Sequence, residues 1–159
     1  MDAAGPRPRD RTDGGATLIE VLVALSILSI AGVAILAGLQ LSVKTSDIHR
    51  KQSTGGAYVR SYAEAIEKHL DTTANYQPCA GANAYTPVAV GFVVPSGFTA
   101  THTAAEPLAG NGTAASGGCP GADTGVQRIT VTVRSNDSRA TEVLTLVVRR
   151  ACGTGSSCA

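Results

Sequence analysis

Hydrophobic and polar positions divide this chain into four stretches. Residues 1–15 are polar, with Pro6, Pro8, Gly14 and Gly15, and with Arg7, Arg9 and Arg11 set against Asp2, Asp10 and Asp13. They offer no apolar face for a core and read as an exposed leader. From Val21 to Leu39 run 19 residues without a charge. At about 1.5 Å per residue, such a helix crosses a hydrocarbon layer of about 30 Å. It is also longer than the apolar part of a secretory signal, about 7–15 residues. Polar residues enter after Leu39 without a breaker, and the next proline is Pro78. Val59, Tyr62 and Ile66, followed by His69 or Leu70, recur at spacings of three and four, the period of one helix face. The pattern predicts one helix from about Thr17 to about Leu70, loosened at Gly55-Gly56 and ended by Asp71-Thr72-Thr73 and Asn75. Its exposed side offers Glu64 and Lys68 as an i,i+4 pair in the favourable order.

Beyond the helix the period changes to two. Val88, Val90, Phe92 and Val94 alternate with Ala89, Gly91 and Val93, which predicts a strand ending at Pro95. Phe98 to Thr103 reads as a second, weaker strand. Ala104 to Gly125 is rich in Ala, Gly, Thr and Ser, a loop too long to be casual unless stapled or functional. Ile129, Val131 and Val133 alternate with Arg128, Thr130, Thr132 and Arg134, giving a strand with one dry and one wet face. Ser135 to Arg139 is a turn, and Val143 to Val148 returns with Leu144, Leu146 and Val148 on one face. A lone hairpin needs further packing. The expected fold is therefore α+β: a long N-terminal helix whose second half lies across a small antiparallel sheet of three or four strands. The expected divisions are residues 1–15 as leader, 16–41 as the membrane-spanning half, 42–71 as the amphipathic half and 72–159 as a globular head.

Composition sharpens this outline. Of 159 residues only 4% are aromatic, and there is no Trp, so the head has a small core that needs staples. The net charge of +1 and the scattered basic residues argue against binding nucleic acid through bulk electrostatics. All four cysteines, Cys79, Cys119, Cys152 and Cys158, lie after the apolar segment. If that segment anchors the chain, they sit on the oxidising side, where disulfides persist. Close ligand pairs of the C-x-x-C kind are absent, so no metal or redox site is expected. Three pairings are open. Cys79–Cys119, tying the loop after the helix to the long loop, and Cys152–Cys158, closing a short Gly/Ser loop, are the favoured ones.

One residue does not fit a plain membrane anchor. Glu20 places a carboxylate at the start of the uncharged run, where an unpaired charge is expensive. A Glu near a helix start is favoured by the helix dipole, but it still lacks a cation in an apolar setting. The surrounding residues, Gly15-Ala16-Thr17-Leu18-Ile19-Glu20-Val21-Leu22-Val23-Ala24, resemble the class III signal of type IV pilins and pseudopilins, usually written G-F-T-L-I-E-V-L-V-A. Ala16 departs from it where Phe is usual. The resemblance implies cleavage between Gly15 and Ala16 by a prepilin peptidase, N-methylation of Ala16 by the same enzyme, and pairing of Glu20 with the N-terminal amine of a neighbouring subunit. Gly15, lacking Cβ, lets a protease reach the backbone. Ala24, Ser26, Ser29, Ala31, Gly32, Ala34, Ala37 and Gly38 would allow close helix packing.

What the resemblance implies about function is a structural subunit of a type IV pilus or a related secretion machinery such as type II secretion. The small head and Ala16 incline the reading towards a minor or accessory pilin. Implied partners are other pilin subunits, the peptidase, membrane lipid before assembly and a pilus assembly platform. The implied location is the cytoplasmic membrane with the head outside, then a surface filament or envelope pseudopilus. A disulfide near the C-terminus also resembles the disulfide-bounded region of many pilins. No cofactor is expected, and no enzyme: the three histidines, His49, His69 and His102, have no nucleophile beside them in any known arrangement such as G-x-S-x-G. The alternative reading is an uncleaved single-pass anchor carrying an extracytoplasmic binding module, with Ala104 to Gly125 as its binding surface.

Overall fold

A computed structural model describes residues 17–151. Gly15, Ala16, Cys152 and Cys158 lie outside the described residues. Helix α1 spans Leu18–Leu70 and is followed by a short 3-10 turn at Thr73–Asn75. Four strands follow: β1 Phe98–His102, β2 Glu106–Pro107, β3 Val126–Ser135 and β4 Thr141–Arg149. The chain divides into two compact units, the first ending at Lys44 and the second beginning at Thr45.

In the first unit the helix is apolar all round. Its large side chains from Leu18 to Val43 are exposed, between 47% and 78%. Ser26 Oγ donates to the Leu22 carbonyl at 2.8 Å and Ser29 Oγ to the Leu25 carbonyl at 2.7 Å. Both hydroxyls are thus satisfied inside the helix, and the surface carries no unmet polar group from them.

The second unit is the predicted α+β head. β3 is central: β4 pairs with it along its whole length on one side, and β1 and β2 share the other side, all antiparallel. Alternation decides the faces. Gln127, Ile129, Val131, Val133 and Ser135 point inward, opposite Val148, Leu146, Leu144, Glu142 and Ala140, while Arg128, Thr130, Thr132 and Arg134 face out. Val59, Tyr62, Ala63, Ile66 and Leu70 supply the helix side of the core. Of the two candidates for the last position, Leu70 is buried and His69 is only half-buried. The aromatic residues gather here. Tyr62 stacks on Phe92 at 5.3 Å, Tyr58 meets Phe98 edge-on at 5.2 Å, and the Tyr62 hydroxyl donates to the Tyr85 carbonyl at 2.7 Å.

Three local expectations are corrected. Residues 88–94 form turns rather than a strand. The Val90 and Phe92 N–H groups donate back to the Thr86 and Pro87 carbonyls, and Gly91 takes φ +75. Pro87 and Gly91 curl the backbone, so Phe92 reaches the core while Val88 and Val93 stay exposed at 90% and 84%. Alternating valines here mimic a strand without forming one. Second, the helix runs unbroken through Gly55-Gly56. A Cβ on Gly55 would lie 3.1 Å from Glu142 Cγ and 3.7 Å from Phe98 Cε1, so that glycine serves close packing, while Gly56 faces open space. Third, Glu64 and Lys68 form no ion pair; the helix instead pairs Asp47 with Lys51 at 3.1 Å.

The two neighbouring glycines give a contrasting prediction. Gly55→Leu would force its side chain into Glu142 and Phe98 and lower stability by about 1–3 kcal/mol. Gly56→Ala would raise it by up to about 1 kcal/mol through helix propensity. Thermal unfolding of both variants, followed by circular dichroism, checks the opposite signs.

Candidate functional site

The N-terminal end of α1 is the first candidate. Thr17 begins it: Thr17 Oγ1 accepts from the Glu20 N–H at 3.4 Å, and the Thr17 carbonyl accepts the N–H groups of Glu20 and Val21. Thr17 and Glu20 stand at the N-cap and third positions of a capping box. The helix dipole accordingly favours the Glu20 carboxylate. It does not neutralise it. Among the described residues Glu20 has no ion pair, and no Lys or Arg lies between Arg11 and Lys44. Lys44 is 24 residues on, about 36 Å along a helix. Among the described residues no cation comes within reach of Glu20.

Gly32 and Gly38 add to this end of the molecule. A Cβ on either would meet nothing within 4 Å. Within this chain they only weaken the helix, by about 1 kcal/mol each relative to Ala. Close approach by another helix is the use that small positions on an apolar helix serve.

The head holds a different kind of centre. Asp123 is ringed by donors: Oδ1 accepts from the Tyr76 hydroxyl at 2.7 Å and the Gly125 N–H at 2.8 Å, and Oδ2 accepts from the Cys79 N–H at 2.7 Å and from Gln127 Nε2. Burial raises its pKa, but the bonds from Cys79, Tyr76, Gly125 and Gln127 outweigh that and hold it below the usual carboxylate range. Burial together with the Asp123 contact pushes the Tyr76 hydroxyl well up. The Cys79–Cys119 disulfide lies beside this hub. Together they anchor the long loop, which carries β2 and a bridge between Leu108 and Ala114. Sequence reasoning missed Asp123. Its signal was Asp123-Thr124-Gly125, an Asx-turn spacing closed by Gly125 at φ +106.

The histidines separate clearly. His49 is exposed and His69 half-buried. His102 is 4% exposed, stacked on Tyr85 at 5.7 Å. Its Nε2 accepts the Tyr85 N–H at 2.9 Å and its Nδ1 lies 2.6 Å from the Thr103 carbonyl. That arrangement fits the neutral ring with the proton on Nδ1. Burial lowers its pKa, partly offset by the Thr103 carbonyl.

At another edge of the head, Arg50, Lys51, Thr54, Tyr58, Phe98 and Asn136 line an open groove of about 430 Å³. Lys51 is held there by Asp137 and Asp47. Its hydrogen bond to Asp137 raises the Lys51 pKa and keeps the Asp137 carboxyl far below its usual range. Among the described residues no three His, Cys, Asp or Glu side chains gather as metal ligands.

Residues 10–36 match the prokaryotic N-terminal methylation motif, the signal of type IV pilins and pseudopilins. The chain thus carries the N-terminal signal of a pilin-like prepilin. Comparison with curated proteins and with solved structures found no match. α1 is long and apolar enough to cross a membrane, which fits membrane anchoring through this segment.

His102 makes head stability depend on pH. Its folded pKa lies below the unfolded value of about 6.5. As pH falls through 6.5 the unfolded chain takes up a proton that the folded head refuses, so stability declines towards pH 5. Denaturant unfolding at steps from pH 7.5 to 5 should show this loss. In His102→Gln, stability should be lower at pH 7.5, and the loss across that window should be smaller.

Proposed function

We propose that this chain is a structural subunit of a type IV pilus or a related secretion filament. It is made as a prepilin and cleaved between Gly15 and Ala16. The observation that carries this reading is Glu20, a carboxylate in the first turn of an exposed apolar helix that bears a methylation motif, with no ion pair among the described residues. Cleavage removes Arg7, Arg9 and Arg11 and leaves the Ala16 amine, N-methylated but still basic, as a cation at the apolar end of the helix. Pairing with a carboxylate in low dielectric is favourable when both would otherwise be buried unpaired. In this reading residues 1–15 are the leader, 16–41 lie in lipid and then in the filament core, 42–71 back the head, and 72–159 form an outward-facing head. Before assembly the subunit sits in the cytoplasmic membrane with its head outside. Its partners are the prepilin peptidase, lipid, the assembly platform and other pilin subunits. The function is polymerisation and display of the head, without catalysis by this chain.

Mass spectrometry of the mature N-terminus, in cells with a prepilin peptidase, should find Ala16 first and N-methylated. An intact Met1 would instead support an uncleaved anchored binding module. Glu20→Gln should still be cleaved but should enter filaments at least about tenfold less, equivalent to about 1.4 kcal/mol of lost pairing. Normal incorporation of that variant would refute the assembly role of Glu20.

A further inference from the structure

β4 is an edge strand with an unusual surface. Among the described residues it pairs with β3 and with no other strand. The register fixes which backbone groups face outward. Arg150 N–H donates to the Gly125 carbonyl and Ser135 N–H to the Ala140 carbonyl. Even-numbered residues of this stretch therefore exchange hydrogen bonds with β3. Thr141, Val143, Thr145, Val147 and Arg149 turn their N–H and C=O groups away from it. Among the described residues none of these five backbones has another partner. Their side chains are exposed as well, with Val143 at 59% and Val147 at 49%.

Edges of this length are ordinarily blunted by a central charge, a proline, a bulge or a cover. β4 has no proline, and its ladder to β3 is unbroken from Thr141 to Arg149. Its only charges, Glu142 and Arg149, stand near the ends. Between them run six uncharged residues, of which the first five, Val143-Leu144-Thr145-Leu146-Val147, read the same in both directions, with Val148 following. Thr145 is also the midpoint of the strand.

We infer that β4 pairs antiparallel with β4 of a second copy of this chain, about a twofold axis through Thr145. In that register the outward backbone groups of the odd residues meet one another over the full strand. Val143 stands opposite Val147 of the other copy, Thr145 opposite itself, and Leu144 opposite Leu146. The charges also avoid their like: Glu142 meets Val148, and Arg149 meets Thr141. Each exposed valine gains a β-branched cross-strand neighbour, a favourable pair on a sheet surface. The self-complementary surface is what a twofold contact requires. Pairing across β4 needs neither cleavage at Gly15 nor a filament, so its failure would leave the pilin reading intact.

Cysteine cross-linking of the full-length chain in membranes tests the register. Directly opposed, mutually hydrogen-bonded residues have Cα atoms about 5.5 Å apart, inside the disulfide range of about 4.4–6.8 Å. Thr145→Cys should form covalent dimers on mild oxidation at least about tenfold more than Thr101→Cys, a control on the exposed face of β1. Val143→Cys mixed with Val147→Cys should cross-link to each other, and neither should cross-link to itself. Thr145→Lys, which opposes two like charges, should abolish the mixed cross-link without changing the unfolding temperature. Equal cross-linking of Thr145→Cys and Thr101→Cys would overturn the assignment. So would self-linking of Val143→Cys, a mixed cross-link that survives Thr145→Lys, or capture of a different protein at residue 145.

Discussion

An apolar helix surface left exposed along its length is the constraint from which the rest follows. Burying one Leu, Ile or Val side chain is worth about 1.5–3 kcal/mol. From Leu18 to Val43 the helix exposes many of them. Water is therefore the one environment this surface is not built for. Its serines are bonded inward, so hydrocarbon on any side meets no unmet hydroxyl. Its glycines have open space around them, so another helix can approach closely. The same surface suits lipid and helix neighbours, the double fit that the proposed passage from membrane to filament needs. A carboxylate at one end gives the otherwise uniform surface an address, because hydrocarbon and helix backbone offer Glu20 no cation.

The head solves a different problem, a core too small to hold long loops by apolar burial. Every aromatic residue lies within it or against it. The remaining loops are held by polar means. Asp123 ties Tyr76, Cys79, Gly125 and Gln127 together, and the adjacent disulfide closes a span of 40 residues. In the chain-entropy account a closure of that length stabilises by about 4 kcal/mol, a large share of a small domain's stability of about 5–15 kcal/mol. The hub and the disulfide act on the same loop ends, so the long segment from Ala104 to Gly125 is a stapled element of the fold.

The helix, β3 and β4 were legible because each has one period sustained over many residues and one face to bury. Gly15 to Ala24 was legible because a carboxylate before an uncharged run is rare. Residues 88–94 misled because period two describes exposed valines in a turn as well as valines in a sheet; Pro87 and Gly91 held the information that decided it. Gly55 misled for a related reason. A glycine in a helix reads as weakness until the neighbouring Glu142 and Phe98, distant in sequence, reveal that it makes room. Asp123 was hidden because two of its four donors, Tyr76 and Cys79, lie 47 and 44 residues away in sequence, and only the fold brings them within bonding distance. His102 escaped similarly: its partners, Tyr85 and Thr103, mark it as a neutral structural ring only when the loop is closed over it.

The two modes of association differ in what they can build. Packing through an apolar helix with its charge at one end joins unlike surfaces, and unlike surfaces repeat without limit. Pairing through β4 joins like to like about a twofold axis and stops at two copies. If both proposals hold, the chain can be kept as closed pairs or extended as a polymer. A twofold is not an operation of a simple polar helix of identical subunits, so the pairing belongs to copies outside the growing array or joins one array to another. In the proposed readings a few residues set each mode, Glu20 for extension and Val143 to Val147 for pairing. They lie in different elements, so the two modes can be weakened independently.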